Sequence, residues 1–93
     1  MVPNFLPALE LSIDEETGGV RAAYLRVRGG QVEETHEVAE GRAFADYDVN
    51  GVLLGIELLA PCEVEILESL VAQEPEPIKR FLRGGVPREL VPA

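Results

Sequence analysis

From Ala8 the chain alternates, with Leu9, Leu11 and Ile13 on one side and Glu10, Ser12 and Asp14 on the other. A period of two is the mark of a half-buried strand. The preceding residues 1–7 carry two prolines and no period, so they read as an extended lead-in. Glu15-Glu16-Thr17-Gly18-Gly19 is a turn segment, and a second strand follows over 20–28, where Ala23, Leu25 and Val27 alternate with Tyr24, Arg26 and Arg28. Gly29-Gly30 has the composition of a two-residue hairpin loop. That loop predicts a third strand over 31–39, pairing Arg28 with Gln31, Val27 with Val32 and Arg26 with Glu33. Glu40-Gly41 turns the chain into a fourth strand, 42–48. Asn50-Gly51 is the strongest hairpin signal in the chain. It sets Tyr47 against Leu54, Ala45 against Ile56 and Ala43 against Leu58, with Phe44, Leu53 and Leu59 on the opposite face beside Asp46, Asp48 and Glu57.

Past Pro61 the period changes. Cys62, Ile66 and Leu70 stack on one helical row with Val64, Leu67 and Val71 beside it, which predicts an amphipathic helix over 61–73. Glu74-Pro75-Glu76-Pro77 breaks it, 78–83 forms a short second helix, and Gly84-Gly85 stops that helix. The expected class is α+β: an antiparallel β-meander of about five strands followed by an amphipathic helix and a short second helix. It forms one domain, 1–93, divided into a sheet (8–59), a helical part (61–83) and a tail (84–93). One helix with one apolar arc covers one sheet face. Either the Phe44, Leu53 and Leu59 face or the Tyr47, Leu54, Ile56 and Leu58 face is then left bare, and a bare apolar face predicts a homodimer.

Composition narrows the function. The 93 residues carry a formal charge of −9, and 46% of them are hydrophobic. Residues 1–77 hold 16 acids against 4 arginines, whereas 78–93 hold Lys79, Arg80, Arg83 and Arg88 against Glu89. So acidic a body repels phosphate backbones, and nucleic acid is not an expected partner. The longest uncharged apolar run, 51–56, is too short to span a bilayer, and no basic segment leads into an apolar one at the start. The expectation is a cytoplasmic protein without membrane contact. Cys62 has no second cysteine to pair with, and His36 is the single histidine, so no Cys/His zinc set exists.

Particular stretches carry a family likeness: Ala22-Ala23-Tyr24-Leu25-Arg26-Val27, Val32-Glu33-Glu34-Thr35, Glu37-Val38, Asp46-Tyr47-Asp48-Val49-Asn50-Gly51 and Leu54-Gly55-Ile56-Glu57-Leu58-Leu59. In this order and spacing, the run 9–59 resembles a small bacterial family catalogued as domain of unknown function 2283. The loop 15–20 is longer than is usual there, and His36 stands where similar chains carry an aliphatic residue. The resemblance implies an antiparallel meander followed by helix, and it brings no activity and no catalytic residues. It also implies, as a lead, the role of neutralising partner to a small toxin.

One segment fits a chemical pattern. Asp46, Asp48, Asn50, Gly51 and Glu57 match the calcium-loop spacing D-x-[DN]-x-[DN]-G-x₅-E. That loop needs a helix on each side, whereas a strand is expected on each side here, so a hairpin is the expected reading. His36 and Glu34 share a strand face with Val32 and Val38, a placement that predicts either a partly buried, hydrogen-bonded histidine at an edge or subunit contact, or an acid–base pair. Cys62 reads as a small core residue. No catalytic, cofactor or metal residues are assigned, and no cofactor is expected. The expected function is that of a small acidic, homodimeric protein-interaction module without catalysis, neutralising a basic partner such as a toxin. The alternative is a small enzyme or metal-binding protein using His36 with the carboxylates Glu34, Asp46 and Asp48.

Overall fold

The computed structural model describes residues 4–60 and 65–86. Five strands, β1 (Phe5–Ile13), β2 (Val20–Arg28), β3 (Glu34–Val38), β4 (Ala43–Tyr47) and β5 (Leu53–Leu59), form one antiparallel sheet. Two helices follow, α1 (Glu65–Leu70) and α2 (Glu76–Gly85). This is the α+β class that the hydrophobic periods predict.

One connection departs from sequential pairing. The strand order is β1-β2-β5-β4-β3, so β2 pairs with β5, and the Gly29-Gly30 hairpin does not form. Arg26 lies opposite Gly55 rather than Glu33, and the Glu33 amide donates to the Tyr47 carbonyl at the other side of the sheet. The reason is burial. Pairing β3 beside β2 would place Glu33, Glu34 and Glu37 in the middle of the sheet, where charge is costly. The most apolar strand, β5, takes the centre instead, with five of its seven residues buried. The connection 29–33 passes the end of β5, and Leu54 lies buried within contact distance of Gly30.

The Asn50-Gly51 hairpin forms, with Gly51 at φ 77 and Ala43↔Leu58 and Ala45↔Ile56 paired as expected. The register shifts after Asp46, so Tyr47 pairs with Leu53 and not with Leu54. This irregularity also moves Leu53. Expected beside Phe44 and Leu59, it joins the core with Ala45, Ile56 and Leu58. A one-residue slip exchanges the faces of a strand, so a bulge near its end re-aims the residues beyond it.

Both helices pack on one face of the sheet. Leu67 and Val71 from the α1 region and Ile78 and Leu82 from α2 close over Ala23, Leu25, Val27, Ile56 and Leu58. The start of the expected helix, with Cys62 and Val64, lies outside the described residues. The second helix, expected over 78–83, spans Glu76–Gly85, so that Gly84-Gly85 are its last two residues and it ends there. Gly85 has a use there: a Cβ would come 3.0 Å from the Leu25 side chain, so its absence lets the last turn lie close on the sheet. The strand β1 begins at Phe5, inside the expected lead-in, and the Phe5 ring meets Phe81 edge-on at 6.3 Å. Among the described residues no helix is long and apolar enough to cross a membrane.

Candidate functional site

The sheet face away from the helices holds a cross-strand polar network of side chains from three strands. Residues paired across a ladder share a face, so the pairings Tyr24↔Glu57, Phe44↔Glu57 and Thr35↔Asp46 gather these five side chains there. The Tyr24 hydroxyl donates to Asp46 Oδ2 at 2.8 Å, and the Thr35 hydroxyl donates to Asp46 Oδ1 at 2.6 Å. Tyr24 belongs to β2 and Asp46 to β4, with β5 between them. The span is possible because Gly55 lies beneath: a methyl at that position would collide with the Tyr24 ring and hydroxyl. Burial, and then the hydrogen bond to Asp46, push the Tyr24 phenol well above its ordinary value of 10.0. Tyr24 is thereby held as a neutral donor at and below its ordinary ionisation range. The depression above the network, about 230 Å³, is smaller than ordinary small-molecule pockets.

The sequence-derived candidates fall in different places. His36 pairs with Ala45 and so takes the parity of the helix-covered face, whereas Asp46 takes the other. At the sheet edge the helices do not reach His36. It is exposed, its Nε2 lies 2.9 Å from Glu34 Oε2, and its ring sits 4.9 Å from that of Tyr47. It is thus an edge histidine with a hydrogen bond, but exposed where partial burial was expected, because the edge strand is not covered there. His36 and Glu34 therefore do not converge with Asp46 and Asp48.

Asp48 is committed to its own turn. Its Oδ1 accepts from the amides of Asn50 and Val52, at 2.8 and 2.9 Å, while its backbone carbonyl accepts from Gly51. An aspartate accepting from amides two and four residues on is how this side chain builds a turn. The segment that matches the calcium spacing is thus a β-hairpin, with Asp46 and Asp48 both occupied by protein donors. Among the described residues no group of three or more His, Cys, Asp or Glu side chains is placed to hold a metal.

A larger concavity, about 680 Å³, opens beside the β1–β2 turn and extends to Leu59 and Ala60. Two of its polar side chains, Asp14 and Thr17, serve the turn itself. Asp14 Oδ1 accepts from the amides of Glu16 and Thr17, which hold its carboxyl below the ordinary carboxylate value, and Thr17 Oγ1 accepts from Gly19.

The two edges of the sheet differ in kind. The outer strand β3 presents Glu34, Thr35, His36 and Glu37, all exposed, with Glu33 and Glu40 at its ends. The outer strand β1 presents Leu6, Leu9, Leu11 and Ile13, all large, apolar and exposed. Phe44 and Leu59 are half-buried on the face that the helices leave open, whereas β1 carries exposed leucines and an isoleucine in a row. The alternation of Leu9, Leu11 and Ile13 was visible in the chain, but their exposure follows from β1 being an edge strand that α2 meets at Phe5 and leaves uncovered farther along. Comparison of the chain with family models, with curated proteins and with solved structures finds no match.

Proposed function

We propose that the protein is a cytoplasmic, homodimeric interaction module without catalysis, whose acidic surface neutralises a basic protein partner such as a small toxin. The observation that carries this reading is the opposite character of the two sheet edges. An edge strand exposes unpaired backbone groups, and proteins ordinarily blunt such edges with charge, bulges or cover. The strand β3 is blunted in that way by its glutamates. On β1 the side chains that reach solvent on the helix side are leucine and isoleucine, which suit self-association. The alternative, catalysis or metal binding by His36 with Glu34, Asp46 and Asp48, has no geometric support, since His36 and Asp46 lie on opposite faces.

Light scattering of the full chain at micromolar concentration tests the association, and twice the 10.1 kDa chain mass is the expected result. A tagged chain used as bait in lysate of its native host is expected to capture a basic protein that elutes with rising salt, as screened charge contacts do. A monomer at every concentration overturns the homodimer, and recovery of only neutral or acidic proteins overturns the neutralising role.

A further inference from the structure

We infer that two copies join antiparallel through β1 about a two-fold axis at Leu11, so that Leu11 of one copy faces Leu11 of the other and two five-stranded sheets become one of ten strands. This rests on the homodimer reading above and specifies its contact. Among the described residues the outer side of β1 has no partner strand. Its ladder to β2 is irregular at two places: between Phe5 and Ala8 the extra residue lies on β1, and between Ser12 and Ile13 it lies on β2. Pro7 has no amide hydrogen, so β1 itself runs regularly over residues 8–13. Over that stretch Leu9 and Leu11 pair with Leu25 and Ala23 of the core and so take the helix side, as does Ile13 by alternation, while Glu10 and Ser12 take the open side with Tyr24 and Ala22. Exposures of 43% for Leu9, 46% for Leu11 and 47% for Ile13 leave all three with uncovered apolar surface.

Physics then selects one register. A two-fold axis between residues pairs odd positions with even ones and sets Leu9 against Ser12 or Leu11 against Glu10. An axis at Glu10 places that carboxylate against its own copy and brings Ile13 onto Pro7; an axis at Ser12 opposes Glu10 to Asp14. Like charges directly opposed weaken a ladder. An axis at Leu9 runs the pairing into Pro7 and the irregular segment. Only the axis at Leu11 matches every position: Leu9 meets Ile13, Leu11 meets Leu11, and Glu10 meets Ser12. Six apolar side chains then form one row on the helix side and join the two cores. The same geometry limits growth, because a two-fold contact uses β1 of both copies and leaves only the glutamate-bearing β3 edges outside. Six residues make an edge of about 20 Å, which puts the contact at the small end of specific interfaces, around 1,000 Å² in total.

Cysteine cross-linking in full-length chain with Cys62→Ala reads the register directly, since opposed strand residues lie within disulfide reach. Under mild oxidation Leu11→Cys is expected to link to itself, Leu9→Cys and Ile13→Cys each to remain single, and an equal mixture of those two to form the linked heterodimer. A dimer by light scattering in which Leu9→Cys or Ile13→Cys self-links, or in which none links, overturns the β1 register while leaving the homodimer standing. A single-chain mass up to sub-millimolar concentration overturns both. Leu11→Lys is the second variant: its position is exposed in the single copy, so the expected result is a monomer with unchanged circular dichroism. A Leu11→Lys dimer also overturns the inference.

Discussion

Arg28, the last residue of β2, reaches Glu74 in the turn between the helices, with Nη2 2.8 Å from Oε1 and side-chain exposures of only 12% and 17%. Its Nη1 donates to the Leu53 carbonyl at 2.8 Å. One guanidinium thus ties together the end of β2, the start of β5 and the break between α1 and α2, elements that are 25 and 46 residues away from it in the chain.

Because both partners are mostly buried, removing one leaves the other short of compensation. Arg28→Ala is expected to cost about 2–3 kcal/mol, and Glu74→Gln, which keeps an acceptor, about 1 kcal/mol. Urea denaturation of both single variants and the double variant checks this. A double-mutant cycle with no coupling energy contradicts it.

Gly55 is predicted to be the glycine least tolerant of a side chain within the sheet. Gly55→Ala collides with Tyr24 and is expected to lower stability by about 1–3 kcal/mol. The same substitution made in a Tyr24→Ala background is expected to cost less, because the colliding ring is gone. Denaturation midpoints of the four proteins decide it.

Tyr24 gives the protein an alkaline sensitivity. Its folded pKa is raised, so its contribution is complete below the ordinary value of 10.0 and is lost as pH climbs from there through the folded value. In a Tyr47→Phe variant, which leaves one tyrosine to observe, phenolate absorbance is expected to lag behind that of free tyrosine until the chain unfolds. With Tyr24→Phe the fall in stability above pH 10 is expected to be shallower.

At Gly51 the backbone alone is at stake, since φ is 77 and a Cβ would meet nothing within 4 Å. Gly51→Val is expected to cost about 1–3 kcal/mol, from the strain of a β-branched residue at positive φ. A thermal melt showing no change would mean that the turn is not the one described.

Calcium is expected to leave the melting temperature unchanged, and so is a chelator. Asp46 already accepts from Tyr24 and Thr35, and Asp48 from two amides of its turn. A saturable rise of several degrees at sub-millimolar calcium would reverse this assignment.

The strands β2 and β5, the Asn50-Gly51 hairpin and the amphipathic character of the C-terminal part were all legible in the chain. Each rests on local periodicity or on a turn that only certain residues can make. The excess of glutamate around β3 was legible too, being a matter of composition. The order of the strands was not, because Gly29-Gly30 permits a hairpin but does not compel one. The choice depends on which strand is best buried on both sides, and β5 meets that condition while β3, with its glutamates, does not. Leu53 changed face through a register shift after Asp46 that no hydrophobic period signals. The Tyr24–Asp46–Thr35 network exists because β5 sits between β2 and β4 with a glycine at the crossing, and Leu9, Leu11 and Ile13 are exposed because β1 is an edge strand that α2 meets at Phe5 and leaves uncovered farther along. Local residue chemistry determines which segments become strands and turns. Competition among strands for the covered centre of the sheet determines which side chains meet, and that competition is settled only when the whole chain packs.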